Sequence, residues 1–599
     1  MLVSMVSTQS GIITTRNVHF SNEDEEEYRN FFKKIQEDGF IRDDINFDDD
    51  IWIVRANDLD YKIGIQINEV AFKKAMRNPN INMEIKDFSL GLKAYVLLTL
   101  NYTAPMTIHQ RIAFLFKTIN AVGFFNFGEV KKFIELITHG NDVLACEGAM
   151  ELLEFLEIDI PEEYSNAWHD IEDSLDYSSK TRKVPDFKSI FAFGEIVAKF
   201  MNDASEEEFI KYGVVVLWWY ICNNVPMRPT EFILTEKDCI YEQDGEYYLK
   251  IKRNIGKGPQ HTRKILNQYK AFETYDTDTI KVDKKIFDIV KTYNDLIDKT
   301  YPDRDKYLID KRIYTEQISP YDNGILYLNK GKFTSRDLRN SLNIFYEEIV
   351  SGRYNRKICT KTQKEEDLKI EKIAERKFND HIEMLVPYDI RHIAIMNLIM
   401  IGAEPLTVMR LARHKKIRTT QGYYNHVEEY GNSYILTYSK MIKELKTRRT
   451  ESTSKGNGVN VYEIINNKPY NPALATWNSL SSEKSQNVQY KEVDGGWCKY
   501  LKKDFVPCYA VAGNHSRCPY FIPGDNIDIQ KEFLEESMNV NGLLETLKEL
   551  VENHNNITNF SEKYSIAIEE YRVSLNHASD VASKFNDLKT VERILVEGE

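Results

Sequence analysis

Between residues 228 and 424 the chain sets out, in order, Arg228 with Glu231 three residues on, Lys257 within "NIGKGPQHTRK", Arg391 at the head of an apolar run, His414, and the adjacent pair Tyr423 and Tyr424. A guanidinium presents a planar fork that matches two phosphate oxygens, and a lysine carries a transferable proton. An imidazole adds a further hydrogen bond, and a phenol oxygen can act as a nucleophile. Two arginines, a lysine, a histidine and a tyrosine therefore suit phosphoryl transfer without a metal. Glu231 is placed to orient Arg228. Glycines on both sides of Lys257 let the backbone approach a ligand and free the side chain to project; Lys252, nearer Arg228, is the alternative lysine.

The stretch "PYDIRHIAIMNLIMIGAEPLTVMRLARHKKIRTTQGYYNH", from Pro387 to His426, must position the second half of this set. Pro387 and Asp389 mark a helix start, the following dozen residues are apolar on nearly every side, and Gly402 marks the end, so a core helix is expected. Arg391 then falls in its first turn, where free N–H groups and the helix dipole favour an anion. Its partner is either a buried carboxylate or a phosphate. Successive residues on a helix diverge by about 100°, so Tyr423 and Tyr424 cannot both face one phosphate. Counting from His414 favours Tyr423, while the "YNHV" ending keeps Tyr424 open. The same rotation turns His392 away from Arg391, and it is expected to pack beside the site.

The elements that carry these residues follow from composition. At 599 residues, 42% apolar and 12% aromatic, the chain is long enough for several domains of about 100 to 200 residues each. No apolar run approaches the roughly 20 residues of a membrane span, and the N-terminus lacks the pattern of a secretory signal. Seven cysteines suggest a reducing compartment, and the cytoplasm is expected. The formal charge of −13 excludes a protein that coats nucleic acid with its whole surface, yet residues 251 to 270 hold six basic and no acidic side chains, and residues 401 to 450 hold ten basic and four acidic. Such local excess can dock phosphate on one face. Composition shifts predict an α+β module over 1–85, a helical bundle over 86–180, a mostly helical domain over 185–448 with a hairpin at Asp244-Gly245, a linker and Cys/His segment over 449–527, and a helical tail over 528–599.

Taken together, residues 210 to 430 resemble the catalytic domain of tyrosine recombinases, the family of phage integrases and related transposases. Arg228 with Glu231 resembles the first-arginine motif, Lys257 the hairpin lysine, "YDIRH" the His-x-x-Arg helix start, and "LARHKKIRTTQGYYNHV" the histidine-to-tyrosine segment. The length, N-terminal extension and Cys-bearing tail are similar to those of the transposase B proteins of staphylococcal transposons. The resemblance implies a multidomain, mainly α fold with small sheet and hairpin elements, in which a helical core-binding domain (86–180) and the catalytic domain close as a clamp on DNA. It implies cutting and rejoining of double-stranded DNA through a 3′-phosphotyrosine, with no cofactor for catalysis. It also implies a tetramer on DNA, other recombinases of the same element as partners, no membrane, and a bacterial, nucleoid-associated location. Arg228, Arg391 and His414 would stabilise the transition state, and Lys257 would protonate the leaving 5′ oxygen. The family's first histidine is Tyr388 here, a phenol with a reference pKa of about 10 and hence a weak base. Two other readings share these residues: DNA relaxation of the type IB topoisomerase kind, and a non-catalytic DNA-binding accessory.

The tail holds a second constellation, Cys498, Cys508, His515 and Cys518, within 21 residues. Their soft donors suit one tetrahedral structural zinc, although the spacing is not that of a standard finger, and three ordinary thiols with a histidine in a small core is the other reading.

Overall fold

The computed structural model describes residues 19–174 apart from 57–58, 76–82, 101–102, 124–125, 127 and 138–139. It further describes 185–254, 275–318, 332–361, 381–439 apart from 415–416 and 437–438, 528–597, and five short strands at 3–7, 13–17, 491–493, 496–498 and 521–523. Helices dominate, and the sheets have two or three strands each. The chain divides into two compact units, one built from Met1–Lys180, Asn254–Asp276 and Asp322–Lys332 and the other from Thr181–Arg253, Thr277–Tyr321 and Phe333–Glu599.

In the first unit the hairpin β1 (Val3–Ser7) and β2 (Ile13–Asn17) precedes α1 (Glu25–Glu37) and a second hairpin, β3 (Ile51–Ala56) with β4 (Leu59–Gly64), in which Trp52 pairs with Ile63. Helices α2 (Glu69–Ala75), α3 (Ile85–Thr99), α4 (Pro105–Val122), α5 (Val130–Leu136), α6 (Gly140–Phe155) and α7 (Glu162–Ser174) follow. One continuous core joins them, with Phe32, Trp52, Tyr95, Leu115 and Leu152 among its buried residues. Arg111 crosses between α4 and α6 to meet Glu151 at 3.0 Å and the Tyr95 hydroxyl at 2.9 Å, so this half-buried cation is matched by a carboxylate.

The second unit begins with α8 (Phe187–Asp203) and α9 (Glu206–Asn224). A capping box between Ser205 and Glu208 starts α9, and its apolar residues run all round the helix because other helices surround it, with Trp218 and Trp219 fully buried. After α10 (Pro229–Ile233), strands β5 (Ile240–Gln243) and β6 (Glu246–Asn254) form the expected hairpin: Asp244 and Gly245 both take positive φ, as a two-residue hairpin turn requires. Strand β7 (Tyr275–Val282) adds to its other edge. Helices α11 (Lys284–Thr300), α12 (Lys311–Ile313) and α13 (Ser335–Phe345) lead to the parallel pair β8 (Lys357–Cys359) and β9 (His381–Glu383).

The apolar run read from the sequence is α14 (Asp389–Met400), buried along almost its whole length. The Asp389 carboxylate accepts from the Val386 N–H at 2.8 Å, the Trp218 indole of α9 donates to the Pro387 carbonyl at 3.2 Å, and Gly402 at φ 85° stops the helix. The entry of this helix is thereby fixed to the core. Helices α15 (Pro405–Leu411) and α16 (Ile417–Gln421) then lead into a single 3₁₀ turn, Gly422–His426, that carries both tyrosines. Strands β10 (Lys491–Val493), β11 (Gly496–Cys498) and β12 (Phe521–Pro523) form a small antiparallel sheet. Helices α17 (Ile529–Glu552) and α18 (Phe560–Ala582) pair as an antiparallel hairpin, and α19 (Leu588–Glu597) closes the described chain. No described helix is long and apolar enough to cross a membrane.

Candidate active site

Arg228 stands at the N-cap of α10, with Pro229 in the first helical position, where its missing N–H costs nothing. Its backbone N–H and its Nη1 both donate to the fully buried Glu231 carboxylate, at 2.7 and 2.8 Å. Arg391, in the first turn of α14 and 1% exposed, donates from Nη1 to the Pro226 carbonyl at 2.5 Å and from Nη2 to the Ala412 carbonyl. Its bonds thus go to neutral oxygens, and no carboxylate lies within ion-pair distance of it among the described residues.

A third guanidinium, unforeseen from the sequence, completes the cluster. Arg253 is also 1% exposed and reaches Pro226 O and Glu231 Oε2, both at 3.4 Å, and the Leu411 carbonyl, with Asp278 3.8 Å from its Nε. Arg253 and Arg391 therefore share the Pro226 carbonyl and grip the consecutive carbonyls of Leu411 and Ala412. Arg228 and Arg253 share one buried carboxylate, Glu231, whose charge also acts on Arg391; Asp278, near Arg253, is shared with Arg413 at 2.5 Å. The Nε of each of Arg228, Arg253 and Arg391 lacks a hydrogen-bond acceptor among the described residues. Burial is the chief cause lowering the Arg391 pKa, followed by the charge of Arg228; burial likewise lowers that of Arg253 against the opposing pull of Glu231. Positive charge is concentrated here beyond what the neighbouring carboxylates balance.

His414 follows α15 after Arg413, which turns the chain at φ 53°, a left-handed conformation rare outside glycine and asparagine. The His414 Nδ1 lies 2.9 Å from the Thr420 hydroxyl of α16, leaving Nε2 for a ligand. Burial, then the charges of Arg391 and Arg228, push the imidazole pKa down to about 3, so His414 is neutral near pH 7. The Tyr423 ring stacks on it at 5.5 Å between centroids and meets the His392 ring at 4.8 Å. His392 in turn contacts Tyr388 at 5.9 Å, so Tyr388, His392 and Tyr423 form a continuous aromatic row beside Arg391. Burial raises the Tyr423 pKa, while Arg391, by charge and hydrogen bond, and Arg228 oppose the rise. The phenol is protonated at neutral pH and sits against the groups that would stabilise its phenolate.

Tyr424, about 120° further round the 3₁₀ turn, takes the other direction. Its hydroxyl lies 2.7 Å from the Tyr564 hydroxyl of α18, in a fully buried contact. Lys252 alternates with Arg253 on β6 and so points to the opposite face, where Thr277 and Glu236 hold it at 3.2 and 3.3 Å. Lys257, Cys508, His515 and Cys518 lie outside the described residues, as does the side chain of Cys498; the backbone register pairs Cys498 with Phe521, three residues beyond Cys518 in sequence.

The chain matches no protein-family model and no curated protein. Among solved structures it is similar to a crystal structure of the XerH site-specific recombinase bound to palindromic difH substrate in a post-cleavage complex, at 12% identity, over 60% of this chain and 86% of that chain, with a TM-score of 0.31. It is also similar to a pre-cleavage complex of XerH with difH substrate, at 14% identity, over 59% and 85% of the two chains, with a TM-score of 0.30. A likeness of this size leaves function to be read from the side chains themselves.

Proposed function

We propose that the chain is a tyrosine-type, site-specific DNA recombinase of a mobile element, with Tyr423 as nucleophile. The observation that carries this is the approach of two buried or nearly buried guanidiniums, Arg391 and Arg228, to one protonated phenol, with Arg253 beside Arg391 and few carboxylates among them. A buried excess of cation is costly until an anion arrives, and a phosphodiester supplies one negative charge with two free oxygens for the guanidinium forks.

In the reaction, the Tyr423 oxygen bonds to phosphorus as the bond from phosphorus to the 5′ oxygen breaks, giving a 3′-phosphotyrosine and a free 5′-hydroxyl. The number of phosphoesters is unchanged, so the step needs no external energy source. The phenolic proton passes to the His392 imidazole, which meets the Tyr423 ring at 4.8 Å, because His414, its pKa depressed to about 3, is a poor acceptor and serves as a donor. Arg228 and Arg391 hold the non-bridging oxygens, and neutral His414 donates from Nε2. Lys257 protonates the departing 5′ oxygen. Tyr388 orients the row behind the nucleophile. Under the same reading, the helices of 86–180 contribute a second DNA contact that completes a clamp, the active form is a tetramer on DNA, and Cys498, Cys508, His515 and Cys518 hold one structural zinc, which elemental analysis would count.

The test is covalent capture on nicked duplexes covering the DNA that flanks the gene, together with a pool of randomised core sequences. The unmodified protein is expected to become linked to a DNA 3′ end. Tyr423→Phe, which removes one oxygen, should keep duplex binding and lose the link. Supercoil relaxation without any dependence on paired sites would point to topoisomerase chemistry instead, and binding without capture to an accessory role.

A further inference from the structure

The hairpin α17–α18 follows the tyrosine-bearing turn by about a hundred residues of sequence, yet it bonds to that region at successive points. Ser561 Oγ donates to Glu404 just before α15 (2.6 Å), and Gln421 Nε2, at the end of α16, donates to the Val551 carbonyl (2.7 Å). Tyr424 meets Tyr564, and the Tyr571 hydroxyl donates to the Val427 carbonyl (3.4 Å). Tyr434 donates to Asn576 Oδ1 (2.5 Å) and Ser439 to the Ser579 carbonyl (3.0 Å). At Gly431 the backbone approaches α18 so closely that a Cβ would sit 2.7 Å from the Tyr571 hydroxyl.

We propose that α17 and α18 are a brace within the same chain that sets the rotation of the 3₁₀ turn, and that Tyr564 is the positioning residue that turns Tyr423 toward Arg391 by holding its neighbour Tyr424. The inference rests on the reading of Tyr423 as nucleophile. A five-residue 3₁₀ turn has little stability of its own, so tertiary contacts decide which of its faces points inward. A buried hydroxyl demands a partner, and the two tyrosine hydroxyls satisfy each other. With Tyr424 tied to α18, the 120° step along the turn leaves Tyr423 facing the guanidiniums. Without that tie no directional bond fixes the rotation of the turn, and Tyr423 spends much of its time off line.

The test uses the full chain and the nicked duplexes that capture it, at saturating DNA and at a temperature where each variant is folded. Tyr564→Phe is expected to slow single-turnover capture about ten- to a hundredfold, with duplex affinity unchanged, and peptide mapping of the residual product should show linkage through Tyr424 beside that through Tyr423. The double variant Tyr424→Phe/Tyr564→Phe leaves no buried hydroxyl unsatisfied, so its melting temperature should return toward that of the parent while capture stays slow. It therefore carries the test if Tyr564→Phe alone folds poorly. A purely structural contact would lower the melting temperature and leave the capture rate alone. Capture at the parental rate in these variants overturns the brace and leaves the nucleophile assignment standing, whereas no capture by the parent overturns both.

Discussion

Lys311 and Arg391 are both cations buried in the same unit, and the chain treats them in opposite ways. Lys311 meets Asp337 at 2.5 Å, and that carboxylate is filled further by the Thr334 N–H and hydroxyl, both at 2.8 Å. Arg391 is held by two backbone carbonyls, with Arg228 and Arg253 for neighbours. The first arrangement orients and neutralises its cation; the second orients it and leaves the charge to be met by something else. A buried ion pair is therefore part of the scaffold, while an oriented, under-neutralised guanidinium is a place kept for an anion.

Replacement of the two cations should separate these roles most widely. Arg391→Met is expected to lower single-turnover capture by about two to three orders of magnitude, the usual effect of removing one donor to a developing charge. Lys311→Met should instead leave Asp337 uncompensated and cost about 3–5 kcal/mol of stability, with capture by the folded fraction unchanged. Parallel denaturant melts and capture rates check both. If Arg391→Met lost only stability and kept the parental rate, the contrast would break.

A smaller effect sharpens the same point without DNA. Inorganic phosphate at tenfold over its dissociation constant should stabilise the folded chain by about 1.4 kcal/mol, and Arg391→Met should remove that gain where Lys311→Met does not. Equal stabilisation of both variants in thermal melts would place the anion elsewhere.

A further effect is confined to acid solution. Because the folded His414 pKa is depressed to about 3, from an unfolded value near 6.5, the unfolded chain binds the extra proton first as acid is added. The histidine's contribution is present above about pH 6.5 and is lost as pH falls toward about 3, with a slope of at most about 1.4 kcal/mol per pH unit. His414→Asn should flatten that part of the stability profile. An unchanged profile would mean that the ring is not shielded beside Arg391.

The parts of this site carried by local patterns were legible in the sequence. Arg228 and Glu231 lie three apart around a proline that starts a helix, Asp244-Gly245 makes its turn by its own φ preferences, and Gly402 ends α14 where the apolar run stops. Arg253 was missed because "KIKRN" reads as one more basic stretch. Leu249, Ile251 and Arg253 are nevertheless the buried alternate residues of β6, so carrying the period of two one step further would have placed that guanidinium on the inner face. The directions of Tyr423 and Tyr424 were not legible. Tyr424 is fixed by Tyr564, 140 residues away, and no local periodicity encodes that contact. His392 packs beside the site as its helical position suggests, but its contact with Tyr423 depends on how the 3₁₀ turn meets α14, a tertiary matter. The helical unit before residue 180 was readable as amphipathic segments, whereas the single core that α1 and the β3–β4 hairpin share with those helices depends on packing between distant segments.

The central claim, that the arginine cluster exists to hold a phosphodiester against Tyr423, is tested most directly by mapping the covalent product. The unmodified chain, trapped on nicked duplex and digested with protease, should yield one DNA-linked peptide containing residues 417–436, with the phosphate on Tyr423 and the DNA attached through its 3′ end. A phosphate found only on Tyr424, a link to a 5′ end, or an unlinked protein on every duplex tried would contradict it.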